Sequence, residues 1–168
     1  MDFTIALLLF IFTLVVYFSY TSNLQKHEKG DLNSMLADAK AISSSLVLSG
    51  YPVNWDNETV IKIGIADDQK ASITKIIYFK QLNYSKTKAT FGTVYDYFVF
   101  FVNNNGEVLN VSGICGIGSP LVNTSYGSIQ GTCNPINVTG IAKNKFVKTE
   151  RYLSYNSSVI KMIVYVWQ

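Results

Sequence analysis

The stretch MDFTIALLLFIFTLVVYFSY, residues 1–20, carries no charge after Asp2 and is built almost wholly from Leu, Ile, Val, Phe and Tyr. About 20 residues of α-helix cover the roughly 30 Å apolar depth of a bilayer, so water alone does not accommodate this surface. A secretory signal peptide is one reading, but no Lys or Arg precedes the run and no small-x-small site ends it. Lys26 and Lys29 just after it would hold the following residues in the cytoplasm if Met1 began a simple anchor, and removal of a short basic leader before Met1 resolves that conflict. Helical periodicity continues beyond Tyr20. Leu24, Leu32, Met35, Leu36, Ala39, Ile42 and Leu46 recur at three- and four-residue steps, and Lys26, Glu28, Lys29, Asp31, Asp38 and Lys40 fill the opposite face. Gly30 is a weak point in that helix, Gly50 supplies a left-handed cap and Pro52 forbids resumption, which predicts one helix of about 70 Å.

Working outward, VIKIGIA at 60–66 alternates Ile61, Ile63 and Ile65 against Val60, Lys62 and Gly64 and predicts a strand, with Asp67 and Asp68 in the turn after it. Residues 72–91 have helical spacing at Ile73, Ile76, Ile77, Phe79 and Leu82, then Tyr84 and Phe91, and Gly92 ends them. YDYFVFFV at 95–102 is apolar on both faces, which predicts a central buried strand; NNNG turns it into EVLNVSG at 107–113. FVKTERYL at 146–153, the turn SYNSS and VIKMIVYVW at 159–167 read as a second hairpin. The expected fold class is α+β. A long N-terminal α-helix (1–50) has an apolar half (1–24, filament core or membrane segment) and an amphipathic half (25–50, packing on the head). A small head (51–168) follows, with antiparallel β-sheet and short helices.

Cys115 and Cys133 bound the Gly/Ser/Asn-rich run CGIGSPLVNTSYGSIQGTC, a loop that a disulfide would hold closed at about 3 kcal/mol in the chain-entropy argument; two unpaired buried thiols are the alternative. Asn-x-Ser/Thr sequons occur at Asn57, Asn83, Asn110, Asn123, Asn137 and Asn156, where chance gives about two. Paired cysteines, sequons and an apolar start point outside the cytoplasm. The net charge is +3 and the Lys and Arg residues are scattered, so nucleic acid is not an expected partner. His27 stands alone, without a second His or a carboxylate cluster to make a zinc site, and no cofactor is expected. The cysteines lack CxxC spacing, GICGIGSP lacks the strand-to-helix context that a dinucleotide site needs, and adjacent Asp67 and Asp68 diverge in a turn. No catalytic set emerges, so the chain is not read as an enzyme.

An apolar segment passing without interruption into an amphipathic helix, followed by a sequon-rich head with one cysteine pair, resembles the type IV pilin superfamily, archaeal pilins in particular. The runs LNSMLADAKAISSSLVLSGYPVNW, GTVYDYFVFF and KTERYLSY with VIKMIVYVW also look like pilin-like proteins of archaea. The resemblance implies cleavage by a prepilin peptidase, insertion in the cytoplasmic membrane before assembly, help from a pilus assembly machinery, and a cell-surface homopolymer used for adhesion. Ile5 stands where bacterial type IV pilins carry a Glu, so the archaeal pattern fits better; the nearest acid is Asp2. The contact set of the polymer would be Phe3, Ile5, Leu7, Leu8, Leu9, Phe10, Ile11, Phe12, Leu14, Val15, Val16, Tyr17 and Phe18. Mutual burial of even about 1,500 Å² per subunit corresponds to tens of kcal/mol before association costs. The rival reading is a monomeric, single-pass anchored extracytoplasmic binding domain.

Overall fold

The computed structural model describes residues 2–127, 131–136 and 145–168, with the backbone alone at Asp2 and over 20–31. Helix α1 runs Asp2–Leu46. The chain forms two compact units, Met1–Ser34 and Met35–Gln168.

In the second unit α1 buries Met35, Ala39, Ile42, Ser43 and Leu46, spaced so that they fall on one face. Leu36, expected on that face, is 37 % exposed, and Leu32 in the first unit is 45 % exposed. The helix ends at Leu46, short of Gly50. Gly50 is left-handed (φ 79) but does not cap α1; it lies where a Cβ would stand 2.6 Å from the Lys62 carbonyl and from Trp55 Nε1. The final carbonyl of α1 is satisfied from elsewhere, Ile65 N–H donating to Leu46 O (2.9 Å), and just past the helix Ala66 N–H donates to Leu48 O (3.1 Å). That pairing explains why 60–66 is not the predicted strand. Its backbone is engaged with the end of α1 and with Tyr51, leaving Ile63 and Ile65 buried and Ile61 exposed.

Strands β1 (Ala66–Asp67) and β2 (Lys70–Ala71) form a hairpin about Asp68 and Gln69, both at positive φ as a two-residue type I′ turn requires. Asp67 is therefore in a strand and not in the turn. Helices α2 (Ile73–Gln81) and α3 (Tyr84–Phe91) follow, α3 opened by the Asn83 side chain accepting from Ser85 N–H and closed by left-handed Gly92.

The centre of the sheet is β3 (Asp96–Val102), buried along almost its whole length. One face sends Tyr97, Val99 and Phe101 into the core shared with Met35, Ala39, Ile42 and Leu46; the other sends Phe98, Phe100 and Val102 into a second core with Cys115, Val122, Cys133, Ile163 and Trp167. The hairpin expected of 95–113 shrinks to one ladder pair, Val102 with Val108 of β4 (Val108–Leu109). The long partner of β3 is instead β8 (Ser158–Trp167), antiparallel from Asp96↔Trp167 to Val102↔Lys161. β8 in turn forms a ten-residue ladder with β7 (Phe146–Tyr155) about the tight turn Asn156-Ser157, both at positive φ. Short strands β5 (Ile117–Gly118) and β6 (Thr132–Cys133) join β3 and β4.

The expected fold class, a small antiparallel head behind a helix with a membrane-crossing half, is corrected on two counts. The described residues make an eight-stranded mixed sheet, ordered β1-β2-β7-β8-β3-β4-β6 with β5 on β3, in which β2 meets β7 in parallel at Lys70↔Ser154. Tight turns impose antiparallel pairing, but β2 and β7 are separated by two helices and the disulfide loop, so no turn dictates their sense. Nor is any helix, among the described residues, long and apolar enough to cross a membrane.

Candidate functional site

Within the first unit, every residue of the expected contact set is exposed, from 40 % at Leu14 to 78 % at Phe3. They are not confined to a stripe: consecutive positions such as Leu7 to Phe12 and Leu14 to Phe18 point around the whole helix. Thr13, within the run, returns its hydroxyl to the carbonyls of Leu9 (2.9 Å) and Phe10 (2.8 Å), so its polarity is satisfied inside the helix. Tyr17 and Phe18 stack edge to face at 5.8 Å. A helix apolar all round has its counterpart in the interior of a larger body, not in water.

In the second unit Cys115 and Cys133 are joined, Cα to Cα 5.7 Å, and both are buried in the core on the far side of β3 from α1. The bridge thus fastens the loop over Phe98, Phe100 and Trp167. Sequons separate into three situations. Asn57 is half-buried, its Nδ2 donating to Gln81 Oε1 at 2.6 Å, and Asn110 is half-buried with Oδ1 accepting from Gly113 N–H at 2.7 Å. Asn83 is exposed but committed as the α3 cap. Asn123 and Asn156 are exposed, and neither side chain has a hydrogen-bond partner among the described residues. Asn137 lies outside the described residues, as do the side chains of Leu24 and His27.

Two polar clusters escaped the sequence reading. Lys75 is buried in α2, where its ammonium donates to Ser49 O (2.9 Å) and pairs with Asp67 Oδ1 (2.6 Å). Tyr84 donates its hydroxyl to Asp96 Oδ1 (2.8 Å), Lys88 pairs with the same oxygen at 3.1 Å, and Tyr97 donates to Thr87 Oγ1. Burial drives both phenols well above their ordinary value of 10.0, helped at Tyr84 by its bond to Asp96 and at Tyr97 by the neighbouring Tyr84. Both phenols stay neutral donors that tie α3 to β3, and neither serves as a base near neutrality. Among the described residues no group of three or more His, Cys, Asp or Glu is placed to hold a metal ion.

No family model, no curated protein and no solved structure matches the chain, and nothing in those comparisons identifies it as a type IV pilin.

Proposed function

We propose that the chain is a structural, pilin-like subunit that polymerises through the apolar residues of α1 into an extracellular, cell-surface filament serving adhesion, with copies of itself as its principal partner. The observation that carries this reading is the exposure of Phe3 to Phe18 around the full circumference of the helix. Such a surface is stabilised by burial at about 25 cal/mol per Å², and many identical helices side by side supply that burial to one another. A heterologous contact repeated by a screw operation extends without closing. The buried disulfide fits an oxidising compartment, and exposed Asn123 and Asn156 offer positions for glycosylation. Processing by a prepilin peptidase and an assembly machinery belong to the same proposal and rest on the resemblance.

The test is electron microscopy of the full chain after detergent withdrawal, compared with Leu9→Lys. Filaments with a helical repeat are expected from the native chain. The variant should give none while retaining its disulfide and its circular dichroism. Filaments of normal abundance from Leu9→Lys would overturn the role of α1. Monodisperse native particles would return the chain to the monomeric binding-domain reading.

A further inference from the structure

We propose that the cleft between the β3–β4 turn and the β7–β8 turn binds a neutral saccharide. The register brings the two turns together. Val102 at the end of β3 lies opposite Lys161, and Tyr155 at the end of β7 opposite Ser158, so Asn103 to Gly106 and Asn156-Ser157 stand at the same end of the sheet. Between them lies a cavity of 420 Å³, within the range of about 300–1,000 Å³ typical of small-molecule sites.

Its lining selects the ligand. Asn103 is consumed by its own turn, Oδ1 accepting from the Asn105 and Glu107 amides at 2.9 Å and Nδ2 donating to Glu107 Oε2 at 2.8 Å. The side-chain amides of Asn104, Asn105 and Asn156 remain, all exposed and all without hydrogen-bond partners among the described residues. Each offers two donors and an acceptor on one plane, the complement of vicinal hydroxyls. Leu109, Tyr155 and Val159 supply apolar surface for the C–H face of a sugar ring. No Lys, Arg, His, Asp or Glu lines the cavity, which removes the means of holding a phosphate or carboxylate. The saccharide has two possible sources: a glycan of another surface, or one attached to Asn156 itself, which opens a sequon with Ser158. The inference stands on the cleft alone and does not depend on polymerisation.

The test uses the full chain, disulfide intact and kept monomeric in a detergent without a sugar head group. It is titrated calorimetrically with maltose, α-1,2-mannobiose and N,N′-diacetylchitobiose, with glucose 1-phosphate as the charged control. Three proteins are compared: native, Asn156→Gln, and the double variant Asn104→Ala/Asn105→Ala, whose exposed turn positions leave the thermal midpoint unchanged. Millimolar or tighter binding of a neutral sugar by the native chain, weakened at least about tenfold in the double variant, supports the site with an external glycan. Binding that emerges only in Asn156→Gln, together with hexose mass on native Asn156, supports it with the chain's own glycan. The proposal is overturned by failure of both native and Asn156→Gln to bind, by binding of glucose 1-phosphate alone, or by undiminished binding in the double variant. Because the measurement is made on monomers, a failure here leaves the filament reading untouched, and absence of filaments leaves this result untouched.

Discussion

Lys75 is 7 % exposed while its partner Asp67 has half of its side chain in solvent, and this asymmetry sets the cost of breaking the pair. Asp67→Ala leaves a buried ammonium with only the Ser49 carbonyl, whereas Lys75→Met removes the buried charge and leaves Asp67 free to hydrate. The aspartate variant should therefore lose about 2 kcal/mol and the methionine variant clearly less, as urea unfolding would show; the reverse order would refute the account. Nothing local marks Lys75. The helical spacing of ITKIIYFKQ marks only its apolar positions, and the burial of Lys75 comes from partners 26 and 8 positions away. The same limit explains Leu36: spacing placed it with Met35 and Ala39, but only tertiary contact decides how wide the buried face is.

At the scale of elements, the ten-residue ladder of β7 with β8 was readable because long runs of β-branched and aromatic residues leave few alternatives. The same holds for β3, whose DYFVFFV has no polar face to expose. By contrast β1, β2, β4, β5 and β6 have two residues each, too few to carry a period, and were legible only where a turn announced them. VIKIGIA shows the opposite error, a correct alternation whose partner is a helix end and not a strand. The disulfide loop is an element held by covalent closure. Cys115→Ser/Cys133→Ser should lower the stability of the second unit by about 3 kcal/mol. The loss should appear as a fall in the denaturant midpoint and as easier exposure of Trp167 and Phe98, beneath the loop, to fluorescence quenching and proteolysis. An unchanged midpoint would mean that packing alone holds the loop.

For the whole molecule, the apolar start was the plainest signal, and of the candidate sites it was wholly visible beforehand; the cleft at the turn ends was not, because register alone joins residues 103–105 to 155–159. Global stability should carry the imprint of Tyr84 and Tyr97. Their folded values lie above the unfolded 10.0, so their contribution is complete below the unfolded value and is lost as pH rises toward the folded one. Thermal melts should hold steady near neutrality and fall above pH about 10, with these phenols ionising only as the fold is lost. Tyr97→Phe should lessen that alkaline fall, and an equal fall in the variant would exclude Tyr97 as its source.

The end of α1 and the residues just after it are joined to the following segment by main-chain hydrogen bonds, from Ile65 to Leu46 and from Ala66 to Leu48. Ala66 opens β1, which pairs with β2, which touches β7. Tension entering through the helix is thereby handed to the sheet along the backbone as well as across packed side chains.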